Sequence, residues 1–342
     1  MTAKTKDEYA KAGVDIDVAN STKGEMAKIL QGGDKRVLNK FGAFANLFDA
    51  SFPGYKNPVL VLKTEEPGTK QKLAIDNDSV ETVCHDLVNH LVNDAIVTGA
   101  RPLSVQDCIV CGRMEKETIL RIVGALNKAC KENECILTGG ETSEQPGVVE
   151  AGTYILTASI VGVVEKELII DGSKIREGDM VLALASSGIH TNGLSLVRKI
   201  MKDSPEILNE KIEGETFIKT ILTPHRSYYT CLKDLFGKDG LVGLAHITGG
   251  GIKENLNRIL PENLDALIEV DKIKVPEIFK VLKKFGNLED EDMYRAFNVG
   301  VGMAAVVKKE FTQEVQKHIK KYNIDAYEIG SIINGSGKVI LK

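Results

Sequence analysis

The chain has 342 residues, of which 43% are hydrophobic and 27% charged, and its 44 basic and 48 acidic residues give a net charge of −4. This length predicts two domains of roughly 150 residues each. No basic stripe favours binding to nucleic acid, and no run of 18 apolar residues predicts a membrane span. The N-terminal residues lack the apolar core of a signal peptide, and the six cysteines do not form a disulfide framework, so we expect a cytoplasmic protein.

Hydrophobic patterns predict the main elements of the first half. Strands are expected at 58–63, 103–110 and 154–164, and helices at 80–98 and 118–131. Cys108 and Cys111 form a Cys-x-x-Cys pair inside one apolar run, without a second pair spaced like zinc ligands. Two buried thiols on a strand therefore explain the pair better than a metal site.

The helix at 80–98 carries a continuous apolar stripe and an opposite polar face. The polar face consists of Asp86, Asn89, His90, Asn93 and Asp94. A solvated surface is the ordinary explanation of such a face. A functional role for Asp94 requires its side chain to point into a cleft, which periodicity does not decide.

The turn from Glu65 to Lys70 follows the first strand and reads EEPGTK. Carboxylates suit Mg²⁺, and a lysine suits phosphate charge, so the turn is a candidate for holding both. Glu-Pro-Gly turns are also common on protein surfaces, and the motif alone is weak. A second acidic candidate is Gly139-Gly140-Glu141, where two glycines permit close backbone approach at the end of a strand.

A strand, a polar loop and a helix follow one another at 179–198. The strand is expected at 180–185, the loop at 186–193 and the helix from 194. Such an arrangement leaves free N–H groups at the helix start, which is a ready anion site. An ordinary loop between a strand and a helix explains the stretch equally well.

A triple glycine at 249–251 precedes another helical pattern and again resembles a phosphate cradle. His190 and His246 each lie within or just before one of these two glycine loops. A single histidine is more often structural than catalytic, but two in matching contexts favour a function.

The segment 172–178 is the best linker, and it divides the chain into predicted domains at 1–171 and 172–342. The second half alternates between strands and helices. Its strands are expected near 180–185, 266–270, 298–307 and 338–341.

Six motifs follow one another in order along the chain. The three in the first half are YAKAGVDID at 9–17, VNDAIVTGARPL at 92–103 and LTGGETSEQPG at 137–147. The second half contributes ASSGIHTNGLSLVRK, AHITGGGIKENLNRILP and MYRAFNVGVGM. Together these motifs resemble the aminoimidazole ribonucleotide synthetase (phosphoribosylformylglycinamidine cyclo-ligase) family, and the match covers nearly the whole chain.

The resemblance implies an α+β or α/β two-domain subunit in a homodimer. The N-terminal domains would bind ATP and pair their sheets into a shared barrel, and the C-terminal domain would be an α/β layer. ATP and Mg²⁺ would serve the cyclisation of formylglycinamidine ribonucleotide to 5-aminoimidazole ribonucleotide, with ADP and phosphate as the other products.

The resemblance also implies roles for particular residues. Catalytic roles would fall to His190, His246 and Lys70, with His190 as general acid or base because an ordinary histidine pKa of about 6.5 suits the task. Cofactor-binding residues would be Thr69, Lys70, Asp94, Asp107, Gly139, Gly140 and Glu141. Metal ligands would be Glu65, Asp94 and Glu141. Substrate-phosphate contacts would be Ser187, Gly188, Asn192, Thr248, Gly249, Gly250 and Gly251.

The chain departs from the family at residues 65–70, where the usual motif is Asp-Gly-Val-Gly-Thr-Lys. Glu66 replaces a residue free to adopt a positive φ, and Pro67 removes an N–H donor. His225 also stands where the family usually has threonine. Two alternatives to the cyclo-ligase therefore remain open. One is a sister enzyme such as a selenophosphate synthetase, a hydrogenase-maturation dehydratase or a thiamine-phosphate kinase; the other is a nucleotide-binding paralogue without turnover.

Overall fold

The computed structural model describes residues 16–30, 34–39 and 42–342. Most of the motif at 9–17 lies outside these residues. The strands, numbered in chain order, are β1 (Pro58–Glu65), β2 (Arg101–Cys111), β3 (Ile136–Glu144), β4 (Tyr154–Glu165), β5 (Met180–Ala185), β6 (Lys211–Ile212), β7 (Glu215–Thr216), β8 (Leu241–His246), β9 (Leu264–Ile268), β10 (Val301–Val307), β11 (Ala326–Asn334) and β12 (Val339–Leu341).

The α-helices are interspersed among these strands. They are α1 (Ile16–Ile29), α2 (Lys70–Asp76), α3 (Val80–Ile96), α4 (Lys116–Glu132), α5 (Leu194–Asp203), α6 (Phe217–Ile221), α7 (Tyr229–Leu232), α8 (Gly251–Leu256), α9 (Glu277–Gly286), α10 (Asp290–Ala296) and α11 (Thr312–Lys320).

The first half forms a four-stranded sheet in the order β1-β4-β2-β3, in which only β2 and β3 run parallel. Helices α3 and α4 cover one face of the sheet, where the apolar stripe of α3, including Val83, Leu87 and Leu91, is fully buried. The predicted strands and helices of this half are confirmed to within a few residues. Their strong periodicity explains this agreement.

The other face of the first sheet, which we call the open face, is left exposed along β1 by the part of the chain that the structure describes. Alternate β1 residues point to it, and Leu60 and Leu62 are 52% and 72% exposed. Thr64 lies beside Ser159 of β4 on the same face, with 2.8 Å between their hydroxyl oxygens. An exposed apolar strip of this kind is typical of a contact surface.

The second half forms a six-stranded sheet in the order β12-β9-β11-β5-β10-β8. All its neighbouring strands are antiparallel except β12 and β9. Strands and helices do alternate along this half, as expected, but the sheet they form is mainly antiparallel. The architecture is therefore α+β in character. The four predicted strands are present, but β8 and β11 were missed.

Residues 172–178 form a packed turn rather than a free linker. Ile175 is fully buried, and Gly172 has a φ of +80°. A Cβ at Gly172 would meet the Ile259 carbonyl oxygen at 1.9 Å. The division of the chain at this turn remains a prediction.

Two smaller expectations concern cysteines and membranes. Cys108 and Cys111 both lie on β2, the first half-buried and the second buried, and all six cysteines are free thiols. Within the ranges that the structure describes, no helix is both long and apolar enough to cross a bilayer.

Candidate active site

The polar face of α3 is buried under a segment of the second half, not solvated. Asn89 donates through Nδ2 to the carbonyl of His225, and Asn93 donates to the carbonyl of Arg226, at 2.7 and 2.8 Å. Asp86 accepts from the His225 N–H at 2.6 Å. The ordinary explanation of this face is thus wrong, because its polar groups satisfy the backbone of the segment that covers them.

A pocket of about 380 Å³ lies where the two halves meet, and we call it the junction pocket. Its lining comes from β1 and α3 on one side and from β8 and the loops near α5 and α8 on the other. The polar lining residues are Lys63, Glu65, His90, Asp94, Asn192, His246, Thr248, Asn255 and Arg258.

Asp94 points into this pocket, as its functional interpretation requires. Its carboxylate oxygen Oδ1 lies 2.7 Å from His246 Nδ1, and Oδ2 pairs with Lys63 Nζ at 3.0 Å. Burial disfavours the charged carboxylate, but the hydrogen bond and charge of His246, helped by His90 and Lys63, hold the pKa of Asp94 well below its ordinary value. Lys63 Nζ also lies 2.9 Å from Glu65, so both carboxylates converge on one cation.

Four of the six histidines in the chain cluster at the base of the junction pocket. They are His90, His190, His225 and His246. His225 and His246 approach at 2.9 Å between their Nε2 atoms, and Thr191 Oγ1 lies 3.1 Å from His90 Nδ1 and 3.3 Å from His225 Nδ1. Burial, with the charge of His246, lowers the pKa of His90 to about 4.

His190 does not have the environment expected of a general acid or base. Its side chain is buried, its ring stacks on His225 with 3.9 Å between centroids, and its Nε2 accepts from the Ser187 N–H at 3.2 Å. Burial and the neighbouring positive charges lower the pKa of His190 well below its ordinary value. His190 therefore lacks the ordinary pKa on which its predicted acid–base role depends, and the geometry favours a structural role for this residue, which adopts a φ of +64°.

The two glycine loops lie side by side, but much of their backbone is already bonded. A Cβ at Gly249 would lie 3.4 Å from Asn192 Oδ1, which places the loops in contact. Gly250 and Gly251 donate their N–H groups to the carbonyls of Arg295 and Thr248. These two N–H groups are thus not free for a phosphate, contrary to the expected cradle.

Of the other residues predicted to contact phosphate, some line the junction pocket and others are hydrogen-bonded within the protein. Asn192 and Thr248 line the junction pocket, and Asn192 Nδ2 is buried without a hydrogen-bond partner. Ser187 donates its hydroxyl to the Pro224 carbonyl, whereas the Gly188 carbonyl accepts from Asn298 Nδ2. Asn192 is therefore the strongest candidate among them for a ligand contact.

Lys70 lies outside the junction pocket, in a closed ion pair. Its Nζ is fully buried, 2.9 Å from Asp86 Oδ2, and it donates to the Thr223 carbonyl at 2.8 Å. The predicted catalytic and phosphate roles of Lys70 are not supported by this position. Thr69, one residue earlier, is exposed and lies 3.3 Å from the hydroxyl of Ser195 in the second half.

The EEPG departure is accommodated without strain. The positive φ of this turn, +62°, falls on Gly68, and neither Glu66 nor Pro67 needs one. Pro67 is buried, and Glu65 lies in the junction pocket. The departure therefore leaves the carboxylate available.

The structure does not bring Asp107 and Glu141 to Asp94, and neither lines the junction pocket. Asp107 is buried, which raises its pKa to about 7, and Gly140 lies so close that a Cβ there would meet the Asp107 carbonyl oxygen at 1.9 Å. Glu141 pairs with Cys108 across β2 and β3, which places it on the open face of the sheet. The predicted metal set of Glu65, Asp94 and Glu141 does not form within one chain.

The residues in or beside the pocket that had not been predicted as functional include Lys63, His90, His225, Asn255 and Arg258. The available signals were the spacing of His90 four residues before Asp94, which puts both on one side of α3, and the unusual histidine at 225. Lys63 gave a weaker signal, as a charged residue ending an apolar strand pattern.

Two family models match the chain. The model for the N-terminal domain of AIR synthase related proteins matches residues 50–164, and the model for their C-terminal domain matches residues 176–342. A phosphoribosylformylglycinamidine cyclo-ligase of Carboxydothermus hydrogenoformans is 41% identical over 97% of this chain and 98% of its own length. The chain belongs to this cyclo-ligase family. A second family member, from Clostridium novyi, is also 41% identical, over 98% of this chain and 99% of its own.

Solved structures of more distant proteins share the fold. Hydrogenase maturation protein HypE in complex with ATP has a TM-score of 0.67 at 16% identity, over 94% of this chain and 90% of its own. Thiamine-monophosphate kinase from Stenotrophomonas maltophilia has a TM-score of 0.66 at 15% identity, over 93% and 95%. At these identities the likeness concerns the fold alone.

Proposed function

We propose that the chain is an ATP-dependent cyclo-ligase that converts formylglycinamidine ribonucleotide to 5-aminoimidazole ribonucleotide, ADP and phosphate. The observation that carries this proposal is the identity of about 40% with enzymes of that name over nearly the full length of both chains. The junction pocket supports it, because both halves of the chain contribute charged and polar groups to one crevice.

The reaction requires activation of an amide oxygen, which is a poor leaving group. Transfer of the γ-phosphoryl group to this oxygen gives an iminophosphate, and the amidine nitrogen then attacks the carbon and expels phosphate. The protein must position both ends of the substrate, balance phosphate charge and accept a proton. In the junction pocket, Lys63 and Arg258 supply positive charge, Asn192 supplies an unpaired N–H donor, and His246 supplies the proton-handling group.

Mg²⁺ fits the carboxylates of the same pocket. Glu65 and Asp94 already share the Lys63 ammonium at 2.9 and 3.0 Å, so their oxygens converge on a position suited to a cation. Carboxylate oxygens are the ligands that Mg²⁺ prefers, and they would hold it here. Bound Mg²⁺ would neutralise phosphate charge, and the solved relative HypE, crystallised with ATP, supports ATP as its companion.

We also infer a homodimer in which the open faces of two first sheets meet and close a barrel. Leu60 and Leu62 would then be covered, which removes an exposed apolar strip from water. Glu141 lies on this face and would approach the partner chain rather than its own Asp94.

The direct test incubates the purified chain with ATP, Mg²⁺ and formylglycinamidine ribonucleotide. We expect equal amounts of phosphate and aminoimidazole product, the latter detected as an aromatic amine by diazotisation. Asp94→Asn should lower turnover at least tenfold, whereas His85→Ala, on the same helix but outside the junction pocket, should retain it.

The alternatives predict different results in the same assay. ATP binding without any aminoimidazole would indicate a paralogue without turnover. ATP consumption that requires selenide or thiamine phosphate would indicate a sister enzyme, and either result would overturn the assignment.

A further inference from the structure

Two imidazole nitrogens and one carboxylate face each other across the junction pocket. His246 Nδ1 lies 2.7 Å from Asp94 Oδ1, and His90 Nε2 lies 3.7 Å from Asp94 Oδ2. The ligand atoms of the three residues are all within 4.8 Å of one another. His90 Nε2 is also 3.8 Å from Glu65 Oε2, which places a second carboxylate within reach.

The hydrogen bonds behind these groups determine which nitrogen of His225 carries its hydrogen. Asn93 Oδ1 accepts from the Tyr228 N–H, so Nδ2 is the donor end of this amide. Nδ2 lies 3.2 Å from His225 Nε2, which therefore acts as an acceptor. A neutral His225 then carries its hydrogen on Nδ1 and donates it to Thr191 Oγ1.

The same reasoning extends to His246. Its Nε2 lies 2.9 Å from the accepting Nε2 of His225, so it donates a hydrogen there and shares the single lone pair of that nitrogen with Asn93 Nδ2. In a neutral His246 the lone pair is then on Nδ1, which faces the Asp94 carboxylate at 2.7 Å. Two acceptors at this distance repel each other unless a cation lies between them, either a proton or a metal ion.

His90 completes the arrangement through Thr191. The threonine oxygen has two lone pairs, so it accepts from His90 Nδ1 at 3.1 Å as well as from His225. The lone pair of His90 Nε2 then faces the carboxylates. Histidines that bind metals commonly donate their other ring N–H in this way to an oxygen or another acceptor.

We propose that His90 Nε2, His246 Nδ1 and Asp94 bind a first-row transition metal ion, with Glu65 as an available fourth ligand. Imidazole nitrogen favours ions such as Co²⁺, Ni²⁺ and Zn²⁺, whereas Mg²⁺ prefers oxygen. The site shares Asp94 and Glu65 with the Mg²⁺ position proposed above, but it is defined by two imidazoles and does not depend on the cyclo-ligase activity.

The other histidine triad is a poorer candidate. His190, His225 and His246 also place ring nitrogens within 4.8 Å of one another. The rings of His190 and His225, however, stack with only 19° between their planes. Stacked rings cannot both direct an in-plane lone pair at one ion, so this triad supports the site from behind.

Lys63 controls access to the proposed ion. Its ammonium lies between Glu65 and Asp94 and occupies the carboxylates when no metal is bound. Since its side chain is 37% exposed, it has room to withdraw into solvent. Replacement of Lys63 by methionine should therefore strengthen metal binding.

The test titrates the metal-stripped chain with Co²⁺ alone, without nucleotide or substrate. We expect one Co²⁺ per chain, with the visible absorption of nitrogen-coordinated Co²⁺, displaced by equimolar Zn²⁺ but not by equimolar Mg²⁺. His90→Ala and His246→Ala should each weaken binding by about tenfold or more, and Thr191→Val, which removes a positioning residue, should weaken it to a smaller extent. Lys63→Met should bind more tightly than the natural chain.

His85→Ala is the matched control, because His85 is on the same helix but faces Glu132. Its Co²⁺ binding should equal that of the natural chain. The proposal is overturned if the natural chain gives no Co²⁺ absorption, if His90→Ala binds as well as the control, or if Lys63→Met leaves the affinity unchanged. The first result would mean that a proton alone separates His246 from Asp94. Aminoimidazole formation is scored separately, so Co²⁺ binding without turnover would contradict the proposed function and leave the metal site intact.

Discussion

Lys70 and Asp86 form an ion pair in which neither side chain is exposed. Desolvating two charges is costly, and the pair offsets that cost only while both partners are present. Asp86 also accepts from the His225 N–H, so the pair anchors the segment that carries the histidine cluster. At this position the lysine neutralises a buried carboxylate and bonds the backbone of the same segment at Thr223.

Replacing Lys70 by methionine should therefore destabilise the protein. The substitution leaves the buried Asp86 carboxylate without its counter-charge, and we expect the free energy of unfolding to fall by about 3–5 kcal/mol. Urea denaturation measures this change. The double variant Lys70→Met/Asp86→Asn keeps an acceptor for His225 but removes the charge, so it should recover part of the loss. Unchanged stability together with lost ATP binding would instead support the phosphate role.

Asp107 should make stability depend on pH. Burial raises its pKa from 3.8 to about 7, so the folded state holds a proton that the unfolded state has released. The contribution of Asp107 to the free energy of unfolding is fully present below about pH 4 and decreases as the pH rises to about 7. Above that pH, Asp107 adds no further change in stability. The side-chain amide of an Asp107→Asn variant never ionises, so the stability of this variant relative to the natural chain should rise by roughly 2–3 kcal/mol from pH 5 to pH 8.

Denaturation of both proteins at the two pH values, at one protein concentration, checks this expectation. Asp239→Asn serves as the control, because Asp239 is exposed on the surface of the second half. A pH response of Asp107→Asn equal to that of Asp239→Asn would show that Asp107 ionises freely in the folded protein.

At the scale of elements, hydrophobic periodicity predicted the helix α3 but not the segment that covers its polar face. The apolar stripe of α3 was sufficient to predict the helix, because a strong helical period has few other solutions. Its polar face looked solvated because the covering segment, which begins near Thr223, is more than 120 residues away in the chain. Hydrogen bonds over such separations leave no local pattern in the sequence.

The missed strands have a local explanation. Gly243 interrupts the apolar run of β8, and Gly330 falls inside β11 next to a register shift that follows Glu328. Glycine weakens a strand pattern and often marks such an irregularity. Gly330 is needed here because a Cβ would meet the Leu267 carbonyl oxygen at 2.0 Å.

At the candidate site too, the sequence pattern of the glycine loops does not reveal which groups bond to their backbone. The sequence located both loops, and the structure places Asp94 and His246 in one pocket beside them. The sequence did not reveal that the Gly250 N–H is used by Arg295, a partner from α10. Backbone bonding partners are set by tertiary packing, so a glycine cluster predicts a tight turn more reliably than a phosphate site.

For the whole molecule, the first sheet has one face covered by α3 and α4 and one face open. A monomer leaves the leucines of this face in water. Burying each leucine side chain would contribute about 1.5–3 kcal/mol of stability. Two such faces related by a twofold axis would bury the same residues on both chains. In such a dimer Glu141, which lies on this face, would come close to the partner chain.

We therefore expect Leu62→Glu to convert a dimer into a monomer. A charge on the 72% exposed Leu62 costs little in the isolated chain but would be buried and unpaired in the dimer, which is unfavourable by several kcal/mol. Sedimentation equilibrium measures the mass directly. Leu208→Glu is the control, since Leu208 is 43% exposed in the second half and away from the open face, and it should remain dimeric. If both variants and the natural chain have the mass of a single chain, the shared barrel is wrong; if Leu62→Glu alone dissociates, the open face is the contact.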